Sequence, residues 1–194
     1  MNMKKNKQTL LNKLYKPYKK CQNCPLATLG RKTIVFGEGN PDANLMIIGE
    51  GPGKDEDALG RPFVGRSGKL LDKIIELIDM SRKDVFIANV VKCRPPNNRK
   101  PLPIESKTCK KLLLFKQIKI IKPKVICTLG SSALEALIEK PVAITKLRGK
   151  IIKFKQTVIL PTYHPAYILR NRKELENFSA DLKKAKDILQ KHDK

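Results

Sequence analysis

Five cysteines stand in this 194-residue chain, and four of them are spaced to do more than pack. Cys21 and Cys24 form a C-x2-C pair, Cys93 follows after 68 residues and Cys109 after a further 15. Four thiolates suit either a tetrahedral zinc ion or a cubane iron–sulfur cluster. Structural zinc usually draws its ligands from two close pairs, whereas two of these ligands are solitary, which favours a cluster while leaving zinc open. Either centre is structural, because four sulfur ligands leave no open position for a substrate. The spare thiol is Cys127, in the apolar run 124–129, where a small buried side chain packs well. An odd cysteine count without a secretion signal argues against a disulfide framework.

Three other segments carry groups that packing does not explain. Residues 45–53 read LMIIGEGPG, a strand running into a glycine-rich turn with one carboxylate, Glu50, inside it. A nucleotide-binding P-loop fails on spacing: Gly53-Lys54 has Ile48 at the position of the first glycine and Asp55 after the lysine, and Gly68-Lys69 has Phe63 and Leu70 there. A dinucleotide fingerprint built on Gly49 and Gly51 would need Lys54 as its third glycine. Asn89 closes a second apolar run, where an isolated Asn is more often a turn former. His164 follows a third run in the setting PTYHPA, which is not that of a core residue; the other histidine, His192, sits in the charged tail and reads as incidental.

The elements that must position these groups follow from periodicity. Apolar runs at 45–48, 85–91, 125–129 and 158–160 read as buried strands of one sheet, with 148–154 as an added edge strand. Amphipathic stretches at 67–79, 105–121, 131–139 and 174–192 read as helices, and 9–20 as a short basic helix that delivers the chain to Cys21. Strand alternating with helix implies an α/β fold, a three-layer α/β/α sandwich around a central, mostly parallel four-stranded sheet. In such sheets the ligand site gathers at the carboxyl ends of the strands, which brings 49–53, 89–96 and 161–170 together. The length suits one domain over 1–194, with frayed ends at 1–8 and 190–194.

Charge bounds the partner. Lys and Arg number 41 against 18 Asp and Glu, a formal charge of +23 spread along the whole chain. Such a surface suits a polyanion, since neutralising phosphates releases their counterions. No apolar run reaches the roughly 20 residues of a membrane span, and the polar, basic residues 1–7 lack the apolar core of a signal peptide. The expectation is a cytoplasmic monomer that does not enter membranes.

Residues 49–71, GEGPGKDEDALGRPFVGRSGKLL, closely resemble the first active-site motif of the family-4 uracil-DNA glycosylases, the iron–sulfur group of bacteria and archaea. The resemblance runs from Cys21 to about Asn171, through the four-cysteine spacing, NVVKCRPP at 89–96, ITKLRGK at 144–150 and HPAYILR at 164–170. It implies a [4Fe-4S] cluster on Cys21, Cys24, Cys93 and Cys109, and a monofunctional enzyme that hydrolyses uracil from single- or double-stranded DNA in base excision repair. Such an enzyme flips the nucleotide into a pocket. By the same resemblance Phe63 stacks on the base, Asn89 reads its N3–H and O4 edge, and Glu56 excludes the thymine methyl at C5. His164 faces O2 of the leaving base, and Glu50 with the backbone at Gly51 serves the attacking water and the cationic sugar. Arg66, Ser67 and Gly68 open a helix suited to a phosphate, and Tyr167 with Arg170 belongs to the wedge that holds the duplex open. The alternatives are a relative acting on hypoxanthine or mismatched bases, or a non-catalytic iron–sulfur protein that binds nucleic acid.

Overall fold

The computed structural model describes residues 3–191, with side chains for 7–190; His192 and the outermost ends lie outside these. Its centre is a parallel sheet of β2 (Leu45–Gly49), β3 (Val85–Asn89), β4 (Val125–Leu129) and β6 (Thr157–Thr162). The parallel pairs place Gly49 beside Asn89, Ile47 beside Cys127 and Cys127 beside Leu160. Two short antiparallel strands, β1 (Glu38–Gly39) on β3 and β5 (Ile152–Phe154) on β6, extend it to six in the order β1-β3-β2-β4-β6-β5. The four-stranded expectation therefore holds for the parallel centre and misses an edge. β1 is too short to leave a pattern, while β5 falls inside the expected 148–154 segment.

β2, β3 and β4 are buried along their whole length because helices cover both faces of the sheet. Met46, Ile48, Phe86, Ala88 and Ile126 pack to one side under α1 (Met3–Tyr15), α4 (Pro103–Cys109), α5 (Phe115–Ile121) and α6 (Ser131–Ile138). Leu45, Ile47, Val85, Ile87 and Val125 pack to the other, under α3 (Arg66–Leu77), α8 (Pro165–Arg170) and α9 (Leu175–Lys191). This is the expected three-layer arrangement. Cys127 is fully buried in the second core, and that burial raises its thiol pKa.

Several boundaries differ from expectation for local reasons. The N-terminal helix runs over Met3–Tyr15, not 9–20; a tight turn at Lys16–Tyr18, with Pro17 in it, replaces its last part. The frayed ends expected at 1–8 and 190–194 are helical wherever they are described. The helix expected at 105–121 contains a π-helical segment, Lys110–Leu114, directly after Cys109. Three short helices were not foreseen: α2 (Lys54–Leu59), α7 (Ile144–Leu147) and α8 itself. Among the described residues no helix is long and apolar enough to cross a membrane.

Candidate active site and cysteine centre

All four parallel strands end on one cavity of about 640 Å³, lined among others by Glu50, Asn89, Gly130 and His164. Asn89, the last residue of β3, is 1% exposed, and its Oδ1 has no hydrogen-bond partner. A buried carbonyl oxygen left bare costs about 1–3 kcal/mol. Asn89 Oδ1 is a free acceptor at the cavity wall. A Cβ on Gly49 would lie 2.5 Å from this oxygen and 2.5 Å from Cζ of Phe63, so only glycine lets the amide and the ring stand side by side.

Phe63 sits in the left-handed region at φ 52°, a conformation that the surroundings must enforce. Gly68 makes room for it, since a Cβ there would fall 1.8 Å from the Phe63 carbonyl oxygen. Arg82 donates to that oxygen and to Pro62 O (3.0 Å) while paired with Glu38 (2.6 Å) and Asp72 (2.7 Å). Glu56 supplies the rest: Oε1 accepts from the backbone N–H of Val64 and Gly65 (both 2.9 Å), and Oε2 from Gly53 (3.1 Å). Glu56 lines the cavity, yet both of its oxygens face backbone amides, so its visible work is to hold the 63–65 turn. The pattern G-x-x-E at 53–56, a capping arrangement for α2, was the available signal. Nothing in the sequence pointed to Arg82.

His164 caps α8, and its Nδ1 accepts from the Ala166 N–H at 3.1 Å. That bond places the imidazole proton on Nε2. Burial, with the Arg170 charge adding to it, lowers the pKa from 6.5 to about 4 against the opposing pull of Glu56. The ring is therefore a neutral donor at physiological pH, 5.9 Å centroid to centroid from Phe63. Glu50 lines the same cavity, and its carboxylate has no hydrogen bond or ion pair to another described residue. The turn carrying it is pinned to the chain after β3, with Val90 N on Gly49 O (2.9 Å) and Val91 N on Glu50 O (3.1 Å). Gly51 permits this approach, since a Cβ there would meet Val91 Cγ2 at 2.8 Å.

Of the residues expected to meet DNA, Arg66, Ser67 and Arg170 line the cavity. Two corrections follow. Gly68 is buried beneath Phe63 and does not reach the cavity, because its place in α3 is fixed by the contact just described. Tyr167 is no free wedge, since its half-buried ring packs on Tyr163 at 4.9 Å in the second core.

Cys93 and Cys109 are buried in the first core, and Cys21 and Cys24 pack against it. Burial raises the Cys24 thiol and lifts Cys93 to about 11 and Cys109 to about 12. Neighbouring thiols add to each: Cys21 to Cys24, both of these to Cys93, and Cys93 with Cys24 to Cys109. N–H donors already point at the sulfurs, from Arg31 Nη1 to Cys93 (3.3 Å), Asn23 Nδ2 to Cys21 (3.2 Å) and Lys92 N to Cys109 (3.3 Å). Among the described residues no group of three or more His, Cys, Asp or Glu is gathered for a single metal ion. An all-sulfur donor set ringed by N–H groups fits a larger inorganic centre, whose sulfides and thiolates both accept such bonds.

Two networks beside the site were not anticipated. Lys92 is fully buried, and its ammonium donates to Asn89 O (2.8 Å) and Gln117 Oε1 (2.6 Å), joining the strand end at Asn89 to the cysteine region. Arg148 pairs with Asp181 through two N–H groups (2.8 and 3.0 Å), and Asp181 accepts from Thr162 Oγ1 (2.7 Å), two residues before His164. The segment ITKLRGK thus braces the end of β6.

The chain is similar to known proteins over nearly its whole length. Residues 36–190 match the family described as the Uracil DNA glycosylase superfamily. A type-4 uracil-DNA glycosylase of Thermotoga maritima is 49% identical over 177 residues, covering 89% of this chain and 91% of that protein. One from Saccharolobus solfataricus is 45% identical, covering 88% and 82%. A DNA polymerase of Bacillus phage SP01 is 30% identical over 79% of this chain, but over only 17% of its own length. The chain belongs to the uracil-DNA glycosylase superfamily, in its type-4 branch.

Proposed function

We propose that this protein hydrolyses the N-glycosidic bond of uracil in DNA, releasing free uracil and leaving an abasic site. The observation that carries this reading is the unpartnered Oδ1 of Asn89 beside the Phe63 ring. Uracil offers N3–H to that oxygen and O4 to the amide nitrogen. Cytosine presents an acceptor at N3 and a donor at C4, so both of its groups would oppose the amide, a mismatch of the kind that binding sites reject strongly. In this reading Phe63 stacks on the flipped base and Glu56 limits the C5 side by holding the turn that carries Phe63.

Charge then develops in two places as the bond from N1 to C1′ breaks. The Nε2–H of His164 stabilises the electron pair that collects on the uracil O2, as a neutral donor fixed before the reaction. Glu50 offsets the positive sugar and orients water toward C1′, with the Gly51 backbone beside it. The water oxygen bonds to C1′, its proton passes to the surroundings, and uracil departs as the anion. The sulfurs of Cys21, Cys24, Cys93 and Cys109 would hold a [4Fe-4S] cluster, which supplies structure and no step of this chemistry. Arg66, Ser67 and Arg170 meet phosphates around the flipped nucleotide.

Matched oligonucleotides carrying uracil, cytosine, thymine or hypoxanthine at one position test the proposal. Release of uracil alone, with the strand left intact at the abasic site, is the expected result. A cluster-loaded protein that binds the uracil strand and releases nothing would overturn it.

A further inference from the structure

A nucleotide held in the cavity remains joined to its strand, so the strand must leave on some side. Two concave surfaces adjoin the cavity. One, of about 660 Å³, shares Glu50 and Ser132 with it and contains Lys100, Lys107 and Lys110. The Lys100 and Lys110 ammonium groups are already held by Glu135 (2.9 Å) and Glu139 (2.6 Å), and with Glu50 three carboxylates offset the three lysines. This surface is poorly suited to phosphates.

The other, of about 300 Å³, lies between α3 and α8 and shares Arg66 with the cavity. Arg66, Lys69 and Lys73 stand on one stripe of α3 at spacings of three and four residues, and Arg172 faces them from beyond α8. All four are exposed, and none pairs with a carboxylate among the described residues. Asp72, the neighbour of Lys73, is turned to Arg82 at 2.7 Å. Ile168, Leu169 and Leu175 give the groove an apolar floor.

We propose that this groove is the track for the DNA strand leaving the cavity, with Arg66 at its entrance and Lys69, Lys73 and Arg172 neutralising successive phosphates. The stripe from Arg66 to Lys73 is about 10 Å long at the helical rise of 1.5 Å, which matches about three base steps measured along a duplex axis at 3.4 Å each. The proposal rests on the reading that the protein acts on DNA. It adds which face the strand crosses, and it assigns three residues that the cavity does not include, two of which, Lys73 and Arg172, also lie outside the glycosylase motifs.

The test compares the wild type with the triple variant Lys69→Ala, Lys73→Ala, Arg172→Ala. A second triple, Lys13→Ala, Lys111→Ala, Lys119→Ala, removes the same charge from exposed positions on α1, α5 and the π-helical segment between α4 and α5, across the sheet. Each binds a fluorescent duplex carrying a stable abasic-site analogue over a series of salt concentrations, with circular dichroism confirming the fold. Each lost phosphate contact lowers the slope of log affinity against log salt by about 0.9. The groove variant is expected to lose about 2 to 3 from that slope and to need more DNA for half-maximal base release, while the control keeps the wild-type slope. Equal slopes in all three proteins, or an equal loss in the control, would overturn the track. If the wild type binds DNA but releases no uracil, the enzymatic reading fails, and the slopes still decide the groove.

Discussion

Asn89 stands in an arrangement that does nothing for stability. The bare Oδ1 of Asn89 is a cost in the empty protein, because its desolvation has no compensating hydrogen bond. Asn89→Leu should therefore keep the melting temperature or raise it, by on the order of 1 kcal/mol in stability, while uracil release falls at least a hundredfold. Thermal unfolding beside single-turnover kinetics checks this, and parallel losses of stability and rate would contradict it. His164 gives a pH-dependent counterpart. Its pKa is about 4 in the folded protein and 6.5 ordinarily, so between these values the unfolded chain binds a proton that the folded chain does not. Stability should fall as pH drops from 6.5 through about 4, by roughly 1.4 kcal/mol per unit in that window, and His164→Gln should remove that component. The rate should hold down to about pH 5 where this residue governs it, since the ring stays neutral there and its Nδ1 still accepts from the Ala166 N–H that orients it. A decline centred near 6.5 would show that the ring titrates normally. Glu50, Asn89 and His164 could be singled out in the sequence by their placement after apolar runs. The resemblance assigns Glu56 to excluding the thymine methyl at C5, and periodicity gives no sign of its bonds to Gly53, Val64 and Gly65, which arise because a turn closes back on α2.

Strands β2, β3, β4 and β6 were legible because each is an apolar run buried on both faces, and α3, α6 and α9 because their apolar stripes repeat at helical spacing. The elements that periodicity missed are short. α7 has 4 residues and α8 has 6, too few to repeat a pattern, and β1 has 2. These short pieces nevertheless set the position of His164. Gly149, after α7, has φ +68° and donates to Pro161 O at 2.8 Å, while a Cβ on it would lie 2.6 Å from Oδ1 of Asp181. Any side chain there must strain the backbone and push Asp181 away from Arg148 and Thr162, at the end of the strand that leads to the histidine. Gly149→Ala is expected to cost about 1–3 kcal/mol and to slow the reaction at saturating substrate, measured by denaturant unfolding and single-turnover release. An unchanged rate alongside the stability loss would confine the Arg148–Asp181 pair to folding.

The four cysteines come from two parts of the molecule, the segment after α1 and the first core. Cys21 and Cys24 lie in a segment of bends and short tight turns, only partly buried, whereas Cys93 and Cys109 are fixed in the core. Arg31 ties the two sides, donating to Cys21 O at 2.6 Å and to Cys93 Sγ at 3.3 Å. From Cys93 the connection continues toward the cavity, because the adjacent Lys92 holds Asn89 O and Gln117, and Gln117 in turn holds Phe36 O at 2.8 Å. Loss of an inorganic centre from these four sulfurs should act in order of distance. The 16–31 segment should become sensitive to protease first, since four half-exposed or buried thiols cannot replace the bonds that held it. The body should keep its parallel sheet, whose two apolar cores contain most of the buried side chains. Uracil discrimination should weaken more than DNA binding, because Asn89 is connected to the centre through Lys92, whereas the α3 cations lie across the sheet. Limited proteolysis, base selectivity and DNA affinity, followed as the cluster is bleached anaerobically, test that order. Equal loss of selectivity and affinity would mean that the centre supports the whole fold and has no particular connection to the strand that ends in Asn89.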